Sequence, residues 1–185
     1  MQNNENGLRK YLIVGQITAP HGIDGAVRIK SMTDDPERFC KLKNCFLLNQ
    51  EEQVVKVVMI QSASFQKNRI LVHLAGCESR AKAESLKDHY LAVSRDQAIP
   101  LPPDCWFICD LIGCAVFDEQ DGYLGKVSEI LQSPAQDVYV VAKEGEPDLL
   151  FPSLKSILRR VDLKARRIDV RLPDGLFEIY RERRD

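Results

Sequence analysis

The sequence predicts a mainly β protein: two small β-barrels joined by a short Pro-rich linker, with one short helix in the N-terminal half. Three observations carry this expectation. Brief apolar or alternating runs rich in Val, Ile and Leu recur along the chain, turn residues separate them, and prolines cluster once near the middle. Evenly spaced short strands with few helices argue for barrels or sandwiches.

In the first half the runs are "KYLIVGQI", "AVRIKS", "CFLLN", "QVVKVVMIQ", "RILVHLAG" and "YLAVS". Each is short and either alternates or stays apolar, as a half-buried or fully buried strand requires. A helix is expected from Ser79 to Asp88. Ser79 is a good N-cap, and Ala83, Leu86 and Tyr90 fall on one helical face. "IPLPPDC", Ile99 to Cys105, then places three of the nine prolines within four residues. Proline removes a backbone donor and biases its predecessor towards extended backbone, so this stretch suits neither a helix nor a central strand. Beyond it, "AVFD", "LGKVSEIL", "DVYVVAKE", "LLFPSL" and "RIDVRL" repeat the strand pattern, with turns at Asp121-Gly122 and Glu144-Gly145-Glu146-Pro147. The expected domains are a barrel over residues 10–96, a linker over 97–104 and a second barrel over 105–180.

Composition narrows the function classes. With 44% hydrophobic and 29% charged residues, the 185-residue chain reads as globular and not disordered. No run of about 18 apolar residues is present, so no membrane span is expected. "MQNNENGLRKYL" lacks the apolar core of a secretory signal. Six cysteines in such a chain read as reduced thiols, and a cytoplasmic location is expected. A net charge of −1 excludes a strongly basic nucleic-acid binder. The charge is uneven, however. Residues 1–100 hold 14 Lys/Arg against 11 Asp/Glu, and the remainder 12 against 16. A mildly basic first half and an acidic second half suggest different partners for the two units.

"APHGIDGAVRIKS", residues 19–31, is the first candidate site. Val27 and Ile29 alternate with Arg28 and Lys30, so a strand there buries the first pair and presents both cations on its other face. A glycine-rich turn with a solvated outer face and a loop touching nucleic-acid phosphate both fit this pattern. It is neither a P-loop nor a dinucleotide fingerprint, since Gly-Lys-Ser/Thr and G-x-G are both lacking.

A search for catalytic groups finds little. His21, His73 and His89 have no partnered nucleophile motif. Cys40 and Cys45, and Cys105, Cys109 and Cys114, are spaced x4, x3 and x4, which is not zinc-ligand spacing, so most are expected to be small buried hydrophobes and no metal or cofactor is expected. "DEQDG" suits a hairpin turn better than a calcium loop. In the second half Trp106 and Phe107 follow the prolines. As neighbours in an extended segment they face opposite ways, so they seal the interface between the two domains, bind a partner, or divide those tasks. The basic set Lys155, Arg159, Arg160, Lys164, Arg166, Arg167 and Arg171 is either a solvated face or an RNA contact.

These residues also carry a resemblance. "VGQITAPHGIDGAVRIKSMTDDPERF" is similar to the N-terminal signature of the RimM family of ribosome maturation factors, V-G-x-I-x-x-x-H-G-x-x-G-x-V/L-R-V/I followed by T-D-x-P. "LAGCESRAKAESL" resembles that family's L-x-G-x-x-x-R-x-x-A-x-x-L segment. "DLIGCAVFDEQDGYLGKVSEIL", "DVYVV", "LLFPSL" and "VDLKARRIDVRLPDGLFEI" resemble its PRC-barrel domain. The likeness runs from about Tyr11 to Ile179.

The resemblance implies a factor that binds the head of the small ribosomal subunit during assembly and 16S rRNA processing. Its implied partners are a ribosomal protein of the S19 type and nearby rRNA. No membrane, no cofactor and no catalysis are implied, and a monomer is expected. His21, Gly22, Gly25, Arg28 and Lys30 are then the expected RNA or subunit contacts, and Trp106, Phe107 and Asp110 the expected partner surface. Trp106 and Phe107 stand where the family tends to carry paired tyrosines, so ring packing survives while both hydroxyls are lost. "SPAQDV" replaces a glycine-containing turn, and Pro134 cannot supply a positive φ. Asp88 stands where glycine is common, a position that Asp reaches less readily. An RNA-modifying enzyme with a barrel as its recruiting module is the alternative reading.

Overall fold

The computed structural model describes residues 7–66 and 69–181. Among the described residues the chain divides into two compact units, residues 9–100 and residues 7–8 with 101–181. Both are built mainly of strands.

The first unit is a closed six-stranded barrel. Its strands are β1 (Tyr11–His21), β2 (Ala26–Ser31), β3 (Asn44–Leu48), β4 (Val54–Gln66), β5 (Arg69–Leu74) and β6 (Tyr90–Ser94), in the order β1-β2-β5-β4-β3-β6. Every pairing is antiparallel. So narrow a barrel is filled by its own side chains. Ile17, Val27, Leu47, Val72, Leu91 and Val93 line it, each almost fully shielded from solvent.

Two helices plug the ends. α1 (Arg38–Lys41) buries Phe39 completely. Phe39 comes so close to Gly15 that a Cβ there would lie 2.8 Å from its ring and 2.5 Å from Ile29. Glycine in β1 is therefore a packing requirement. α2 (Arg80–Ser85) begins where expected, the Ser79 hydroxyl accepting from the Lys82 N–H at 3.3 Å. It is shorter than the expected Ser79–Asp88 span. Leu86 ends it, and Asp88 turns the chain at φ 64° into β6, which starts at Tyr90. Asp88 thus does adopt the left-handed conformation. Its N–H donates to the Ile17 carbonyl at 2.8 Å, which anchors the turn on β1.

The Pro-rich segment carries no strand or helix between the single 3-10 turn at Arg95–Gln97 and α3 (Ile108–Leu111). In the second unit β7 (Ala115–Asp118), β8 (Gly122–Leu131), β9 (Val138–Lys143), β10 (Glu146–Pro152), β11 (Leu158–Asp162) and β12 (Arg167–Val170) form one sheet in the order β10-β9-β8-β7-β12-β11. β12 lies parallel to β7 and the other pairs are antiparallel. All six strands wrap one core around Val116, Leu124, Val141, Leu149, Phe151 and Ile168, and Leu158 and Val161 of β11 pack against it. α4 (Leu176–Tyr180) follows, and Arg181 returns into the sheet.

The acidic "DEQDG" segment is a hairpin turn. Asp118 is buried and organises it, accepting from the Gln120 and Asp121 N–H groups at 2.8 and 3.1 Å and from Leu172 N–H at 2.8 Å. β11 was not expected. Its residues belong to the basic set, where two adjacent arginines hide the strand period.

Candidate nucleic-acid interface

The H-G-x-x-G segment joins β1 to β2, with His21 opposite Ala26. Gly22 and Gly25 both sit at positive φ, 68° and 82°, which side-chain-bearing residues adopt only at a cost. They differ in surroundings. A Cβ on Gly22 would meet open space, whereas on Gly25 it would lie 1.9 Å from the Cys77 carbonyl oxygen. The Cys77 thiol in turn donates to the Gly25 carbonyl at 3.2 Å. The turn is thereby fixed to the loop before α2, while His21, Gly22, Ile23 and Asp24 stand exposed.

The strand that leaves this turn has the expected alternation. Val27 and Ile29 are buried, Lys30 is exposed and Arg28 is half-buried on the outer face. Arg28 lies opposite Leu71 of β5 and Ala19 of β1, and the Thr18 hydroxyl donates to its carbonyl at 3.2 Å. Neither Arg28 nor Lys30 pairs with a carboxylate among the described residues, and the Arg28 Nε is enclosed without a hydrogen-bond partner there. The β5 register adds a residue that its local sequence does not single out. Because Arg28 opposes Leu71, Arg69 two positions earlier shares the same outer face and is exposed. Ser62 and Ser64 of β4 continue that face, opposite His73 and Leu71. The outer surface of β2, β5 and the second half of β4 thus sets exposed Lys30, Arg69, Ser62 and Ser64 around half-buried Arg28 and a buried Leu71. The first half of β4 is different: Val55, Val57 and Met59 alternate outward as an exposed apolar row, with Phe46 of β3 opposite Val57.

The remaining histidines lie apart. His73 is half-buried in β5 opposite Ser62, and His89 sits in the turn before β6 with its Nδ1 3.2 Å from the Lys87 carbonyl.

In the second unit Trp106 is half-buried against the core of the sheet, as are Ile108 and Ile112. Phe107 is half-buried and precedes α3, its carbonyl accepting from the Asp110 N–H at 2.9 Å. Asp110, expected at a partner surface, is only 1% exposed. It sits on an inward turn whose carbonyls are held by Arg166: Nη1 donates to Asp110 at 3.2 Å and Nη2 to Ile112 at 2.6 Å. The Asp110 side chain is thus shielded from solvent. The basic set is also largely occupied. Lys155 pairs with Asp104, Arg160 with Asp162 and Arg167 with Asp169, while the Arg167 guanidinium lies 4.1 Å from the centre of the Phe117 ring.

Among the described residues no three His, Cys, Asp or Glu side chains gather as a metal site. All six cysteines are free. Cys45, Cys77 and Cys114 are buried, but Cys40 and Cys105 are exposed, contrary to the expectation that most are buried. No helix among the described residues is long and apolar enough to cross a membrane.

The fold and these surfaces define a two-unit, mainly β protein whose first barrel presents a cationic outer face. Comparison with known proteins makes this specific. Residues 12–98 match the RimM N-terminal domain and residues 108–176 the RimM PRC barrel domain. The ribosome maturation factor RimM of Acetivibrio thermocellus is 37% identical over 169 residues, covering 91% of this chain and 97% of that protein. RimM of Ruminiclostridium cellulolyticum is 37% identical over the same length, covering 91% and 99%. A crystal structure of a 16S ribosomal RNA processing protein RimM from Pseudomonas aeruginosa matches at 21% identity with a TM-score of 0.45, over 88% of this chain and 98% of that one. The chain belongs to the RimM family of ribosome maturation factors.

Proposed function

We propose that this protein binds the head of the small ribosomal subunit while it assembles, as a chaperone of 16S rRNA maturation in the cytoplasm. It does so through a ribosomal protein of the S19 type and the rRNA beside it. It acts by binding and not by catalysis. Family membership supports the ribosomal setting. The observation that carries the RNA contact is the outer face of β2, where Arg28 and Lys30 stand two residues apart, about 7 Å along the strand, without carboxylate partners among the described residues. Cations free of local acids neutralise phosphate and release its counterions. His21, Gly22 and Gly25 form the turn that sets the start of this strand, and Trp106 and Phe107 supply the aromatic area for the protein partner.

Co-sedimentation with free small subunits and with complete ribosomes tests the reading. Wild-type protein is expected to pellet with the free subunits only. The Arg28→Ala, Lys30→Ala double variant should bind more weakly, its salt dependence shallower by roughly 0.7 to 0.9 log units for each phosphate it no longer neutralises. Absence of wild-type protein from the subunit pellet would end the proposal. Covalent change of precursor RNA on incubation with common cofactors would replace it with an RNA-modifying activity.

A further inference from the structure

The end of the first barrel that carries the Gly22–Gly25 turn also holds a cavity of about 240 Å3, between the start of β4, the end of β5 and α2. Strand direction puts these features together: β1 ends at His21, β2 starts at Ala26 and β5 ends at Leu74, all at one rim of the barrel. Two of the residues lining the cavity are Lys56 of β4 and Lys82 of α2, and no acidic residue is among the others. Neither lysine forms an ion pair among the described residues.

We infer that this cavity seats one backbone phosphate of the RNA, held between Lys56 and Lys82. The inference rests on the RNA-binding reading above and adds a second, separate anchor to it. Two ammonium groups brought to one concavity raise the local potential and attract an anion. Their joint reach is visible in the Cys77 thiol on the cavity wall, where burial pushes the thiol pKa up while the Lys82 and Lys56 charges both oppose that rise. The size also discriminates. Clefts for whole small molecules span about 300–1,000 Å3, so this one suits a single anionic group better than a cofactor. Gly76 has φ 80° and open space where its Cβ would be, so the rim leaves room for backbone to approach. Cys77 links the cavity to the turn, because Gly25 rests on its carbonyl and accepts its thiol proton. A strand of RNA lying over this rim meets Lys56 and Lys82 first and then the face of Arg28 and Lys30.

The test is equilibrium binding of the full chain to precursor small subunits across a salt series. It compares wild type with the Lys56→Gln, Lys82→Gln variant and with a charge-matched Lys41→Gln, Lys43→Gln control. Lys41 and Lys43 are exposed and follow β2 at the opposite rim. Thermal melting of each variant checks folding. All four lysines are exposed, so melting should be unchanged. The salt slope of the cavity variant should fall by about 0.7 to 0.9 per phosphate released, and the control should keep the wild-type slope. Equal slopes for wild type and the cavity variant, with wild type still bound, would overturn this inference and leave the broader reading standing. Equal reductions in both variants would also overturn it, because net charge alone would then explain the effect. Titration with inorganic phosphate separates the remaining source. Saturable binding by wild type, abolished in the cavity variant whose subunit binding is intact, would assign the cavity to a free anion and reject the RNA phosphate. If wild type fails to bind subunits at all, both readings fall.

Discussion

Gly25 and Cys77 lock together at two points: the glycine leaves only 1.9 Å between its missing Cβ and the Cys77 carbonyl oxygen, and its own carbonyl accepts the Cys77 thiol at 3.2 Å. The two glycines of the H-G-x-x-G turn are therefore not equivalent. Gly22→Ala meets no atom and bears only the left-handed backbone penalty, about 1–2 kcal/mol. Gly25→Ala bears that penalty and must also drive the Cys77 backbone away. Urea unfolding should rank Gly25→Ala well below Gly22→Ala in stability. Equal losses would show that the loop before α2 yields freely.

How much of this could be read from the sequence depends on the length scale of each feature. β2 and β7 occupy the expected residues, because alternation over four to six residues with glycine or cysteine before it is a local signal. Ser79 was legible as a cap for the same reason. α1, α3 and α4 are four or five residues long, too short to display a helical period. β11 was masked by Arg159-Arg160, whose exposure breaks the alternation between Leu158 and Val161. Arg166, 56 positions away, holds the Asp110 carbonyl, and no local pattern announces such a partner. Arg69 joins the cationic face only through the β2–β5 register.

Trp106 and Phe107 should separate on mutation. Trp106 packs against the core of the second unit, so Trp106→Ala should lower the melting temperature. The loss should fall below the roughly 3–5 kcal/mol of a fully buried tryptophan, since the ring is only half-buried. The double alanine variant should lose association with free small subunits at temperatures where it is still folded. If binding falls only in proportion to unfolding, the pair is a seal and the proposed partner surface is wrong.

Alkali should destabilise both units through buried acids. Burial pushes the Cys45 thiol up from 9.0 to about 12 and the Tyr139 hydroxyl up from 10.0 to about 12. Tyr139 stacks on Phe151, ring centres 5.1 Å apart, inside the second core. In each case the folded chain holds its proton longer than the unfolded chain does. The stabilisation is complete below the unfolded pKa and lost as pH rises through the folded one. Stability should therefore fall between about pH 9 and 12, and Cys45→Ala should flatten the part of the decline belonging to the first unit. Thiol labelling at neutral pH should modify Cys40 and Cys105 quickly and Cys45 only on unfolding. Rapid labelling of Cys45 in the native protein would contradict this account.

Arg181 closes the second unit from the end of the chain. It is only 5% exposed, and its guanidinium donates to the carbonyls of Leu124 on β8, Val141 on β9 at 3.1 Å and Pro147 on β10 at 3.0 Å. Two of these carbonyls stand where strand register shifts, Leu124 beside the β7–β8 irregularity and Pro147 within the β9–β10 one. Such bulges leave backbone groups without a ladder partner, and here one planar fork reaches carbonyls on three strands at once. Glu146 balances the charge at 3.2 Å. Glu146 keeps Lys143 at 3.1 Å when the guanidinium is deleted, so the cost of Arg181→Ala comes from the three stripped carbonyls, about 1–3 kcal/mol for each one left buried without a donor. Arg181→Lys keeps the charge but lacks the rigid fork, and should recover only part of the loss. Urea melts followed by Trp106 fluorescence read this directly, since Trp106 packs on the same core. Should Arg181→Ala melt like wild type, the sheet satisfies its bulges without the latch and the argument fails.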